Sequence, residues 1–180
     1  ANRHLQLNLI RSHAAGVGDP LPCQTVRAMM LLLAASLARG VSGVRPQLIE
    51  QIIALLNAGI TPVVPRLGSV GASGDLAPLS HSALVLVGEG LAYTASDDGC
   101  IDGADALARS GIEPIALEAK EGLALINGTH LMAAQAALAL ADIDHLMDAA
   151  IVAAAMAVDA CLGTDATLDG RIHDVRRQPG

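Results

Sequence analysis

Aromatic side chains are almost missing from this chain: it has no Trp and no Phe, and Tyr93 is its only Tyr. Bases would find no stacking platform here. The formal net charge of −7 also lacks the Lys and Arg surplus that a phosphate backbone demands. Nucleic acid is therefore not expected as a partner. Charge of either sign is scarce, at 16% of residues where about 25% is usual. A chain with so few charges covers itself poorly, so burial against copies of itself is expected.

Cysteine is sparse and unpatterned. Cys23, Cys100 and Cys161 are far apart, odd in number and without CxxC spacing. That argues against a zinc ribbon or a disulfide scaffold and fits reduced thiols. No apolar run approaches the roughly 20 residues of a membrane span. The nearest, "AAIVAAAMAV", has ten and suits a buried helix. The opening "ANRHLQLNLIRSH" carries charge and no signal-peptide core. A cytoplasmic protein without a membrane partner is expected. His4, His81, His145 and His173 are too scattered to suggest a metal cluster, so no metal site is assigned.

What is present is helical periodicity. In "QTVRAMMLLLAASLARG", Val26, Met29, Met30, Leu33 and Leu37 form one apolar stripe, with Gly40 placed to stop the helix. In "RPQLIEQIIALLNAG", Pro46 sits in a first turn, Leu48, Ile49, Ile52, Ile53 and Leu56 make the stripe, and Gly59 follows. A third helix is expected to start at or after Pro78 and to carry "LSHSALVLVGEG". Residues 129–162 read as one long helix or two with a bend. "TPVVP" suggests a short extended piece, and "YTASDDGCIDGADALARSGIEP" a hairpin-like turn followed by a short helix. The last residues, from "LDGRIHDVRRQPG", predict no closing helix. The fold class is mainly α, a helical bundle with one glycine-rich loop between helices.

That loop, "GSVGASGDLAPLSH" from Gly68 to His81, admits four readings. It could be a plain turn in which Ser73 or Asp75 caps the next helix and the glycines supply positive φ. A phosphate cradle fails because the glycine spacing and the Lys-Ser/Thr pair of a P-loop are missing. A serine nucleophile lacks the Gly required two places after the Ser in GxSxG. The fourth reading uses all of Ala72-Ser73-Gly74. If the chain bends so that the Gly74 nitrogen reaches the Ala72 carbonyl carbon, the backbone can cyclise. Ser73 can lose water as well, and the product is an electrophilic methylidene-imidazolone ring. Glycine is demanded at the attacking position because a Cβ would obstruct the approach, and rigid helices on either side suit a strained loop.

The same stretch resembles the signature of the histidine/phenylalanine ammonia-lyase family, whose members build this group from Ala-Ser-Gly. "LQLNLIRSHAAGVGDPL", "SGVRPQLIEQIIALLNAGITPVVP" and "KEGLALINGT" are similar to further family segments, so the likeness runs along essentially the whole chain. It implies that Ala72, Ser73 and Gly74 form the cofactor, 4-methylidene-imidazol-5-one, without an external cofactor. Asp75 would shape the loop from behind, with Leu76 beside it at the substrate. Asn127 would contact the ring and the substrate; on its own residue type it reads first as a helix N-cap shared with Thr129, and both roles can hold together. His13 falls at the family's selectivity position.

A Ser12-His13 pair resembles members that act on histidine, and an imidazole can hydrogen-bond a polar ring. The resemblance thus implies loss of ammonia from L-histidine to give urocanate. Tyrosine- or phenylalanine-directed lyases and aminomutases are the alternatives, since a phenol offers a similar partner. "GTDATLDGRIHDVRRQPG" is similar to the histidine branch, although Gly170 and His130 depart from its usual Ala and Gln. The family's general-base tyrosine and carboxylate-binding arginine match no position here, and Tyr93 aligns with none of them. The expected arrangement is therefore one domain over residues 1–180, a fragment of the ammonia-lyase core. A homotetramer is implied for the parent, and little or no activity is expected of the fragment alone. The reading from another class is a non-catalytic helical oligomerisation fragment with an ordinary serine loop.

Overall fold

A computed structural model describes residues 2–70, 74–96 and 98–177. Gly71, Ala72 and Ser73 lie outside the described residues, so two members of the proposed triplet have no structural account. Two compact units divide the chain, residues 1–138 and 139–180.

The first unit opens with helix α1 (Asn2–His13), strand β1 (Val17–Pro20), α2 (Cys23–Ala38) and α3 (Pro46–Asn57). The stripe expected of α2 is buried in full: Val26, Met29, Met30, Leu33 and Leu37 all lie in the core. Gly40 ends the helix at φ +76, with its N–H on the Leu37 carbonyl. α3 begins at Pro46, whose missing N–H is one that a first turn leaves unpaired in any case. Its buried positions are Leu48, Ile52 and Leu55, spaced four and three, whereas Ile53 is exposed. The stripe facing α2 is thus rotated from the expected one. Each such side chain contributes about 1.5–3 kcal/mol when fully buried.

Short strands β2 (Thr61–Pro62) and β3 (Pro65–Leu67) confirm the extended reading of "TPVVP". β3 pairs antiparallel with β1, Val17 opposite Leu67 and Pro20 opposite Pro65. This ribbon ties the segment after His13 to the segment entering the glycine-rich loop. α4 spans Leu76–Leu86, two residues earlier than expected. Pro78 falls at its third position, still within the first turn, where the lost N–H has no intrahelical partner to forfeit. β4 (Leu91–Tyr93) and β5 (Cys100–Asp102) form the expected hairpin, and β2 pairs with β4 on its other side. α5 (Gly103–Arg109) is the short helix after it, and α6 (Glu121–Ile126) precedes "NGTH". The region 129–162 resolves as one helix, α7 (His130–Ala160), whose buried residues are Leu131 and Ala134.

In the second unit, the residues of α7 from Ala139 on are exposed, among them Leu140, Leu146, Ile151 and Met156. A 3-10 turn (Ala166–Leu168) and helix α8 (Gly170–Val175) follow, correcting the expectation of no closing helix. Asp169 explains α8: its carboxylate accepts the Arg171 N–H at 2.9 Å as an N-cap. Helix therefore dominates the described residues, as the apolar periodicity predicts. Among them, no helix is long and apolar enough to cross a membrane.

Candidate active site

The loop leaves the undescribed triplet at Gly74, whose φ of +99° is open to glycine and strained for other residues. A Cβ on Gly74 would also collide with the Gly128 carbonyl oxygen and lie 2.8 Å from Thr129 Cγ2. Gly74 and Gly128 form an isolated parallel bridge, in which the Asp75 N–H donates to the Gly128 carbonyl at 2.9 Å. Gly74 thus sits in a cradle that only glycine fits.

Asp75 is fully buried. It holds the N-cap position of α4, and its carbonyl accepts the Leu79 N–H, yet its carboxylate does not cap its own helix. One oxygen accepts the Ser69 hydroxyl at 2.7 Å. The other accepts the N–H groups of Leu131 and Met132 at 2.7 and 3.1 Å. These are the second and third residues of α7, so Asp75 caps that helix from across the fold, where the helix dipole favours a negative charge.

Asn127 accordingly is not an N-cap. It is the C-cap of α6, with its own N–H on the Leu123 carbonyl, and its side chain is exposed. The Thr129 carbonyl accepts from Ala133, which opens α7 at His130. The His130 ring lies over the α-carbon of Gly128, where a Cβ would overlap Cε1 and Nδ1. Its Nδ1 is buried without a hydrogen-bond partner. Burial holds the imidazole pKa below its ordinary value, an effect the Asp75 carboxylate partly offsets.

His13 closes α1, half-buried, with Nδ1 2.8 Å from the Leu9 carbonyl and 3.1 Å from Ser12 Oγ. A carbonyl only accepts, so Nδ1 carries a proton and donates to Leu9, which leaves Nε2 outside this contact. Leu76, also half-buried, is the first residue of α4. α1, α4 and α6 pack on one another. The Gln6 side-chain oxygen accepts the Gly122 N–H at 3.0 Å, and Glu121 is buried at the start of α6. Arg45 meets the Glu121 carboxylate through its N–H (3.1 Å), Nε (2.8 Å) and terminal nitrogen (2.7 Å), and the Glu118 N–H adds a fourth donor at 2.7 Å. Burial alone would raise the Glu121 pKa; these donors outweigh it and leave it below the ordinary value. Among the described residues, no group of three or more His, Cys, Asp or Glu could hold a metal ion.

Sequence reasoning passed over His81 and His130. His81 is half-buried on α4, and its Nε2 accepts the Gly16 N–H at 3.1 Å. The glycines at 16 and 128, each leaving room for an imidazole, were the signal that could have found them.

Known proteins point the same way. The chain is 54% identical over 179 residues to the histidine ammonia-lyase of Koribacter versatilis, covering 99% of this chain and 34% of that protein. Its fold matches the crystal structure of histidine ammonia-lyase from Trypanosoma cruzi with a TM-score of 0.91 at 43% identity, over 97% of this chain and 34% of that one. Phenylalanine aminomutase from Pantoea agglomerans matches with a TM-score of 0.88 at 34% identity, over 97% and 33%. The chain thus spans about a third of the length of the relatives it matches. With the aromatic amino acid lyase pattern matched over residues 1–180, the chain belongs to the aromatic amino acid lyase family.

Proposed function

We propose that this chain is the part of a histidine ammonia-lyase that makes the electrophile and one side of the substrate pocket. The reaction is loss of ammonia from L-histidine: the Cα–N bond breaks, a β-proton passes to a base, and urocanate and ammonia result. The observation that carries the reading is the Gly74 cradle, in which a positive φ and the Gly128 carbonyl admit no side chain at the residue whose nitrogen must attack.

Ring formation joins the Gly74 nitrogen to the Ala72 carbonyl carbon and removes the Ser73 hydroxyl, with two waters lost. When formed, the methylidene-imidazolone supplies an electrophilic carbon that turns the substrate's amino nitrogen into a better leaving group. Around it, Asp75 holds the start of α4 to the start of α7. Asn127, exposed at the end of α6, offers an amide to the ring and the substrate. His13, with Nδ1 committed to Leu9, offers Nε2 as acceptor for the N–H of an imidazole substrate, and Leu76, half-buried at the start of α4, adds an apolar side chain to the pocket. Fixed groups of this kind act by orienting the substrate for proton removal.

The single-domain fragment, the cytoplasmic location and the homotetramer belong to the same proposal. The exposed apolar residues of α7, from Leu140 to Met156, support assembly, because such a surface is unstable in water. The likeness to an aminomutase sustains a second reading, in which ammonia returns to the β-carbon.

The test is assay of the longer protein containing this chain with histidine, tyrosine and phenylalanine side by side, together with its intact mass. Urocanate release and a mass lighter by two waters are expected, with little or no urocanate from the 180 residues alone. A β-amino acid product would select the aminomutase. An unmodified mass with no turnover would leave only a structural fragment.

A further inference from the structure

The half-buried imidazole of His81 has no part in the reading above, yet it joins two segments of the site. It stands six residues after Asp75 on α4, while Gly16 stands three residues after His13. Their contact, Gly16 N–H to His81 Nε2 at 3.1 Å, spans 65 residues of sequence. Gly16 is also sterically enclosed. A Cβ there would lie 3.1 Å from His81 Nε2, 3.3 Å from its Cδ2 and 3.3 Å from Pro65 Cβ. The Gly68 Cβ position, at the loop entrance, would lie 3.3 Å from the Gly16 α-carbon and 3.1 Å from Ala77 Cβ. The turn after His13 is therefore wedged between α4 and the strand that enters the loop. A backbone N–H partly covered in this way is best served by an acceptor within the fold, and only the neutral imidazole protonated on Nδ1 can accept at Nε2. Burial favours that neutral form of His81.

We propose that His81 is a positioning residue for substrate recognition: by accepting the Gly16 N–H it fastens the turn that carries His13 to the helix that leaves the cofactor loop. The proposal rests on the reading of His13 as the residue that meets the substrate ring. His81 touches no substrate, and its effect passes through Gly16. Losing the bond frees His13 to wander, which weakens the hold on substrate and leaves the chemical step nearly intact.

The experiment uses the longer protein that contains this chain, with His81→Asn, His81→Leu and His81→Gln. Glutamine can place an amide oxygen where Nε2 stands; asparagine is too short to reach Gly16 and is polar enough for a half-buried site, so it serves if the leucine variant does not fold. Hydrogen exchange of the peptide covering residues 13–20 is expected to gain one fast amide with asparagine or leucine, and to recover with glutamine. In the same variants KM for histidine should rise roughly five-fold for the loss of one hydrogen bond, with kcat changed less than about two-fold and glutamine restoring KM. Unchanged exchange in His81→Asn, or a loss confined to kcat, would overturn the proposal. If the wild-type protein makes no urocanate, the proposed function falls, while the exchange of Gly16 still decides whether His81 holds that turn.

Discussion

The carboxylate of Asp75 accepts the N–H of Leu131 at 2.7 Å, 56 residues further along the chain. A residue placed to start one helix thus completes another. The arrangement joins the exit of the glycine-rich loop to the first turn of α7, and the Gly74–Gly128 bridge runs alongside it. The loop is held at its exit by backbone and side chain together.

Replacing Asp75 tests that coupling. Asp75→Ala leaves the N–H groups of Leu131 and Met132 and the Ser69 hydroxyl without their acceptor. Its expected cost is about 2–3 kcal/mol, read from urea unfolding. Asp75→Asn keeps an oxygen for α7 and an NH2 for the Ser69 hydroxyl, losing mainly the charge–dipole part, about 1 kcal/mol. Equal stability of Ala and Asn variants would refute the cap. If the same contact shapes the loop, the Ala variant also loses the two-water mass decrease in part or in full.

Gly128 offers a steric test. Its φ is not the difficulty; the His130 ring occupies the space a Cβ would need. Gly128→Ala should destabilise by about 1–3 kcal/mol, as overpacking does. Gly128→Ala combined with His130→Ala should recover most of that loss, because the obstructing ring is gone. A double variant no more stable than Gly128→Ala would place the clash elsewhere.

These relationships explain what the sequence discloses and what it withholds. The α2 stripe, Pro46 at the start of α3 and the glycines at 40 and 59 are local signals, and each matches the structure because period, φ and capping act within a few residues. Ile53 and Leu55 exchanged roles because both lie near the edge of the α3 stripe, and the packing of α2 decides which is covered. The start of α4 was misjudged for a local reason, since a proline at the third position stops nothing. The Asp75 cap, the Arg45–Glu121 pair and the His81–Gly16 bond join residues between 55 and 80 positions apart, so no window of sequence contains both members. The Ala-Ser-Gly motif lies within one short window of sequence; the contacts that hold Gly74 and Asp75 are visible only in three dimensions.

The Arg45 guanidinium should be the main but not the sole support of the Glu121 charge. Arg45→Met leaves a carboxylate that is 1% exposed with only the backbone N–H groups of residues 45 and 118, and a loss of about 3 kcal/mol is expected in thermal or urea unfolding. Arg45→Met with Glu121→Leu removes both charges and should lie much closer to wild type. Because α6 ends at Ile126 with Asn127 as its C-cap, the single variant should also raise KM for histidine in the longer protein.

Acid should destabilise the chain in two stages. Burial lowers the pKa of His81 and His130, so the folded state resists protons that the unfolded imidazoles take up from about pH 6.5 downward. The stability tied to keeping them neutral is complete above that value and declines as pH falls through their lower folded values. Glu121 acts in the same direction further down. Its folded pKa lies below the ordinary 4.5, so its contribution is present above 4.5 and is lost as pH falls through the folded value. Urea midpoints measured from about pH 7.5 to about pH 5 should therefore fall with acid. A His81→Gln/His130→Gln double variant should show a much flatter profile over that range, since an amide does not titrate. A wild-type midpoint that stays constant across it would mean that neither imidazole is held neutral by its surroundings.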